Sequence, residues 1–164
     1  MSFANNQVFG DDVTKTYTSA VYPLGTERLV LGSQTGVGDQ VYVFVYNADS
    51  ADYALGDLIR HKATSANGTT IKTAGAVNPS YLVGIAAGAL PFTAATDGSS
   101  GPYGWIIKKG VCTAKVTTYT RDNALVSSAT AGTCDTTATA ATASFGYGLG
   151  AASGGVAQVY INII

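Results

Sequence analysis

Short runs in which apolar and polar residues alternate recur along this chain, and the clearest of them is apolar on both of its faces. The run QVYVFVYN, residues 40 to 47, sets three valines on one face and Tyr42, Phe44 and Tyr46 on the other. Successive side chains of a β-strand point to opposite faces. This strand therefore either lies between two layers or shows its aromatic face to a neighbouring subunit.

A second alternating run lies near the end of the sequence, where VAQVYINII covers residues 156 to 164. Its odd-numbered positions from Ala157 to Ile163 are apolar, and the positions between them are Gln158, Tyr160 and Asn162. The pattern predicts a half-buried strand with these three side chains facing outward.

The apolar run YLVGIAAGAL, residues 81 to 90, contains Gly84 and Gly88. A helix interior loses roughly 1 kcal/mol for each glycine relative to alanine, and a membrane-spanning helix needs about 20 apolar residues. The run is therefore predicted to be a buried central strand. Its two glycines would let a neighbouring backbone or a bulky side chain such as Trp105 approach closely, and Pro91 would end the strand pairing.

The remaining periodic segments are short β-branched or aromatic runs separated by glycine, asparagine, aspartate or serine. Such spacing predicts an all-β fold, a compact antiparallel β-sandwich or barrel of short strands. Residues 1–27 carry aromatic residues without a period, which indicates an extended N-terminal arm, and residues 28–164 would form a single β-rich domain. The alanine- and threonine-rich tract 127–143 is predicted to be a long loop.

Composition narrows the range of partners. Charged residues make up 12% of the chain, and nine basic against ten acidic residues give a net charge of −1. No electrostatic field is expected to attract nucleic acid or an anionic membrane, so neither is a predicted partner. The first residues show no basic stretch followed by an apolar one, so the expectation is a protein without a secretory signal, made in a cytoplasm.

Candidate chemistry is sparse in this sequence. His61 is the only histidine and lies between two basic residues, and Cys112 and Cys134 are not in a metal-ligand spacing. Cys112 is predicted to be a buried thiol that acts as a small hydrophobic residue. We therefore expect no enzyme activity, no metal site and no cofactor.

Several motifs occur in an order that is similar to one known family. Gly56 and Asp57 open a strand, Val83 to Ala86 read VGIA, and Gly104 to Gly110 form GWIIKKG. A late GYGL segment, residues 146–149, precedes the final hydrophobic strand. Over roughly residues 22–164, this order resembles the capsid decoration, or cement, proteins of tailed bacteriophages.

The resemblance implies a structural virion protein. Such a protein would be made in the host cytoplasm and would bind the major capsid protein lattice on the outer capsid surface. It would also bind copies of itself, as a homotrimer in preference to a dimer. Aromatic residues of the arm and of the 40–47 strand are the predicted partner-binding residues: Tyr17, Tyr22, Tyr42, Phe44 and Tyr46. The alternatives are that these aromatic residues belong to the core, or that the chain is a carbohydrate-binding β-module on a virion surface or fibre.

Overall fold

A computed structural model describes residues 12–32, 36–63, 65, 68–137 and 144–164. Within these ranges the chain is built mainly from β-strands, and a short 3-10 helix covers Pro79–Tyr81. The strands are β1 Thr16–Tyr17, β2 Glu27–Val30, β3 Gln40–Asn47, β4 Leu58–His61, β5 Thr69–Lys72, β6 Leu82–Ile85, β7 Tyr103–Lys115, β8 Ala124–Ser127, β9 Cys134–Thr137, β10 Gly146–Gly148 and β11 Val156–Asn162.

Five of these strands close into a barrel in the order β3, β5, β4, β6, β7 and back to β3. One edge of β3 pairs with β7, while its other edge is shared by β2 and β5. The β3–β5 pair is parallel and the other pairs of the barrel are antiparallel. The predicted all-β fold is therefore confirmed, as a barrel with one parallel pair.

An outer sheet extends from the long strand β7. The second half of β7 pairs with β11, which is followed in space by β10, β8 and β9. The burial of β11 alternates along the strand, with Ala157, Val159 and Ile161 buried and Gln158 and Asn162 exposed. The outward direction predicted for the polar positions of β11 is confirmed.

Strand β3 separates two hydrophobic cores, because both of its faces are covered. Val43 and Val45 pack with Ile59, Val83 and Ile106 in a cluster supplied by four barrel strands, which is the barrel interior. Tyr42 and Phe44 belong to a second, larger cluster that also takes in residues of β7, β8, β9 and β11. Of the two predicted settings for this strand, the structure has the position between two layers.

The part of the arm that the structure describes, residues 12–27, lies against the barrel. Its strand β1 pairs with the start of β7, setting Tyr17 opposite Tyr103. The Tyr22 ring contacts Phe44 edge-on at a centroid distance of 5.5 Å and lies 5.4 Å from Trp105. The remaining arm residues, 1–11, lie outside the described residues.

The run YLVGIAAGAL forms a shorter strand than its sequence predicts, because β6 covers only Leu82–Ile85. A β-carbon on Gly84 would collide with the carbonyl oxygen of Ile107, so the predicted close approach is confirmed, with β7 backbone in place of Trp105. At Gly88 the prediction is wrong, since a β-carbon there would meet no atom within 4 Å. Although β6 ends at Ile85, Leu90 still forms an isolated antiparallel bridge with Tyr53, and this pairing stops directly before Pro91 as predicted.

The prediction of a long loop over the alanine- and threonine-rich tract 127–143 is wrong, because part of this tract forms a strand. Ser127 is the last residue of β8, residues 128–133 connect the two strands, and Cys134–Thr137 pairs with β8 as strand β9. The other edge of β9 is also bonded, since Thr117 N donates to the Cys134 carbonyl and Thr136 N to the Thr118 carbonyl. Threonine is favoured in strands for its branched β-carbon, and this local preference decides the conformation here. Residues 138–143 lie outside the described residues.

Candidate interaction surface

The predicted contact aromatics do not form an exposed platform. The Phe44 side chain is fully buried and Tyr42 is 7% exposed, so in this conformation both are core residues with almost no surface to offer a partner. Tyr17, Tyr22 and Tyr46 are half-buried. These aromatics pack mainly on one another, as when the Phe44 ring meets Trp105 edge-on at 5.1 Å, which is the core alternative.

The outer sheet carries a different aromatic pair on its outward face. Tyr147 on β10 and Tyr160 on β11 are register partners, and their rings stack with centroids 5.2 Å apart and planes 25° from parallel. Tyr147 is 46% exposed and Tyr160 is half-buried. Tyr160 was predicted to face outward, whereas Tyr147 lies in the GYGL segment, for which the sequence predicts no facing direction.

These two tyrosines belong to a row that crosses four strands. Tyr147 is opposite Ala124 of β8 on one side, and Tyr160 is opposite Val111 of β7 on the other. Directly opposite residues of antiparallel strands project from the same face, so the four side chains form a continuous stripe. We call the stripe formed by Val111, Tyr160, Tyr147 and Ala124 the tyrosine face.

The surroundings of the tyrosine face are mostly uncharged. The neighbouring register pairs on the same face are Lys109 with Asn162 and Thr113 with Gln158, of which only Lys109 is charged. At its Val111 end the stripe runs into an open groove of about 230 Å³, where Leu55, 50% exposed, lies in the wall. An apolar stripe of this kind on a rigid sheet is typical of a protein-contact surface.

A metal site would need several ionisable side chains gathered together in the part of the chain that the structure describes. No group of three or more histidine, cysteine, aspartate or glutamate side chains in these ranges could hold a metal ion. His61 is half-buried at one end of the barrel, where burial, and to a smaller extent the charge of Lys108, lower its pKa. Among the described residues no helix is long and apolar enough to cross a membrane.

Both cysteines are buried free thiols, as predicted for Cys112. Burial raises the pKa of Cys112 to about 12, and burial is also the main cause of the raised pKa of Cys134. Because the thiolate is the reactive form, we expect neither thiol to react with a disulfide reagent in the native protein at about pH 8, and both to react in guanidinium chloride. A spectrophotometric thiol assay checks this, and rapid modification of the native protein would contradict the buried positions.

Comparisons with known proteins leave the family undetermined, because no protein-family model matches the chain and no curated protein matches it.

Proposed function

We propose that the chain is a structural virion protein that decorates the outside of a tailed-phage head, binds the major capsid protein lattice and stabilises it. The observation that carries the proposal is the tyrosine face, a stripe of one exposed and three half-buried side chains with little charge around it, on a sheet backed by a packed core. Such a surface suits docking on another protein, because stacked tyrosines bury area at low cost in side-chain entropy.

The motif residues Gly56, Asp57 and Gly84 of the family resemblance make contacts inside this chain and do not lie on the tyrosine face. Gly56 and Asp57 lie at a junction where the Gly56 carbonyl accepts a hydrogen bond from Lys115 N and the Asp57 carbonyl accepts one from Ala86 N. Gly84 sits directly under β7. The Gly56 bond joins the barrel to the half of β7 that belongs to the outer sheet, whereas the contacts of Gly84 and of the Asp57 carbonyl lie within the barrel. The outer sheet carries the tyrosine face.

Decoration also requires symmetry that matches the lattice. Several weak contacts made at once by an oligomer act at high effective concentration, so modest individual contacts suffice for tight binding. A homotrimer on a local three-fold axis is the preferred arrangement, with a dimer on a two-fold axis as the other. The barrel would then be a rigid spacer that sets the direction of the contact surface.

The proposed stabilising role is tested on the heads themselves. Heads stripped of their decoration protein and supplied again with this chain are expected to retain their DNA at higher temperatures than stripped heads alone. Release of DNA on a heating ramp can be followed with a fluorescent DNA dye. An unchanged release temperature at saturating protein would contradict the proposal.

Substitution of the stacked tyrosines tests the surface. Tyr147→Ala and Tyr160→Ala are each expected to weaken binding to stripped heads by about tenfold or more, as for an aromatic anchor at an interface. The matched control is Tyr81→Ala, since Tyr81 is 57% exposed but lies in the 3-10 helix and is not part of the tyrosine face. If all three variants bound stripped heads with equal affinity and had unchanged melting temperatures, the tyrosine face would not be the contact surface.

A carbohydrate-binding module on a virion surface or fibre is the second candidate, and the exposed Tyr147 ring is the observation that favours it. Aromatic rings stack on sugar faces as well as on protein side chains. A glycan array separates the two functions. Saturable glycan binding that Tyr147→Ala abolishes, together with no affinity for heads, would replace the decoration function by this one.

A further inference from the structure

The groove of about 230 Å³ at the Val111 end of the tyrosine face is an apolar site. Val37 and Leu55 both line it, and they are 39% and 50% exposed. Exposed apolar side chains gathered at a groove often mark a docking site. None of the described residues that line the groove is charged. The site therefore suits an uncharged, apolar guest.

Two buried polar side chains in the wall of the groove are bonded to partners within the chain. The Tyr42 hydroxyl donates to Gln40 Oε1 at 2.9 Å, and Gln40 Nε2 donates to the Val111 carbonyl. Gln40 is 5% exposed and Tyr42 is 7% exposed. Because these groups already have partners, an apolar side chain that enters the groove leaves neither of them unsatisfied.

The described part of the arm begins beside this groove. Val13 lines a pocket together with Tyr42 and Ala87, and the same two residues also line the groove. The chain that precedes Val13 therefore starts next to the groove. Phe9 comes four residues before Val13, and an extended chain covers about 3.3 Å per residue, which gives a reach of about 13 Å. The Phe9 side chain is thus close enough along the chain to enter the groove.

The sequence of this first segment matches the groove in charge and polarity. Residues 1–11 read MSFANNQVFGD, and Asp11 is their one charged side chain. They lie outside the described residues. Val8 and Phe9 form an adjacent apolar pair in the segment. Because neither the segment before Asp11 nor the groove carries a charged side chain, contact between them desolvates no charge.

We propose that the groove binds the N-terminal segment of its own chain, with the Phe9 side chain seated against Leu55 and Val111. The segment is tethered beside the groove, and a short tether gives an effective concentration of about millimolar order, so a weak contact suffices. The bound segment extends the apolar surface at the Val111 end of the tyrosine face. The site goes beyond the proposed decoration function and does not depend on it.

A ¹H–¹⁵N spectrum of the full chain tests the site. Phe9→Ser is expected to shift the amide signals of Val111, Thr113 and Gln158, which line the groove, and to leave the signals of β4 unchanged. The matched control is Phe3→Ser, the same change earlier in the segment, which is expected to leave the groove signals in place. The proposal is overturned if Phe9→Ser gives wild-type signals at the groove, or if Phe3→Ser moves them equally.

The peptide acetyl-Asn-Gln-Val-Phe-Gly-Asp-amide supplies the segment from outside. Added to the Phe9→Ser chain, it is expected to return the groove signals saturably to their wild-type positions, with a dissociation constant of about millimolar order. Adding Leu55→Ser to that chain is expected to weaken the binding about tenfold or more. The control peptide has serine in place of phenylalanine. Equal shifts with both peptides, no saturation, or unchanged affinity after Leu55→Ser would contradict the proposed contact.

A mixture of labelled and unlabelled chains identifies whose segment fills the groove. The ¹⁵N-labelled Phe9→Ser chain is mixed with an excess of unlabelled wild-type chain, and its groove signals are followed. No change is expected, because each wild-type segment stays in the groove of its own chain. A return of the labelled signals to their wild-type positions would overturn the proposal and assign the groove to the N-terminal segment of a second copy.

Discussion

Replacing Gly84 with alanine is expected to lower the free energy of unfolding by about 3 kcal/mol, because the added methyl group has no space. Its β-carbon would collide with the carbonyl oxygen of Ile107 and lie 3.0 Å from the Ile107 carbonyl carbon and from Ile106 Cδ1. The backbone of β7 cannot move away without disturbing its pairing with β3 and β11. Urea denaturation measures the loss.

Gly88→Ala is the matched control, since it makes the same chemical change four residues later in the same apolar run. No heavy atom lies within 4 Å of a β-carbon at Gly88. The expected change in unfolding free energy is within about 0.5 kcal/mol, because removing a glycine also restricts the unfolded chain. Equal losses in the two variants would contradict the position given to β6 against β7.

Replacing Asp57 with alanine is expected to cost about 3 kcal/mol of stability, because a buried carboxylate with two hydrogen-bond partners at the barrel junction would disappear. The Asp57 side chain is 5% exposed; its Oδ1 accepts from Lys115 Nζ at 2.6 Å and its Oδ2 from Ala54 N at 2.8 Å. A β-carbon at Gly132 would lie 3.1 Å from Asp57 Oδ1, and the Gly132 carbonyl accepts a hydrogen bond from Leu58 N. The expected cost is at the low end for breaking a buried ion pair, because the Lys115 side chain is 36% exposed and water screens its charge.

The chain offers an exposed ion pair as the control for this substitution. Lys108 Nζ lies 2.6 Å from Glu27 Oε1, with side chains 25% and 49% exposed. Glu27→Gln is expected to cost less than about 1 kcal/mol, as is usual for a surface pair. Thermal and urea denaturation should show a much larger loss of stability in Asp57→Ala than in Glu27→Gln. A larger loss in Glu27→Gln would show that Asp57 does not hold the junction.

The sequence predicts the fold well where a strand alternates over many residues. The two apolar faces of β3 and the outward positions of β11 follow from side-chain alternation alone. Barrel closure could not be predicted in this way, because the parallel pairing of Tyr46 with Thr69 brings together residues from different segments with no local signal. Strand β9 was missed because its composition resembles a low-complexity loop, although its threonines favour a strand.

The candidate surface was only half predictable, for the same physical reason. Tyr160 lies in an alternating strand, so its outward direction is visible in the sequence. Tyr147 lies between two glycines in a strand of three residues, too short to show a period. The aromatic side chains of β3 have the strongest pattern in the chain, yet the arm covers them through Tyr17 and Tyr22, a tertiary contact that no local pattern encodes.

The central claim is that this chain binds the outside of a phage head, and co-sedimentation tests it most directly. Purified protein is mixed with mature heads of the phage that encodes it, after these have been stripped of their decoration protein. We predict saturable binding at a fixed ratio to the major capsid protein, and that ratio would identify the symmetry axis that is occupied. The absence of binding at about micromolar protein, a range typical of specific protein contacts, would contradict the claim.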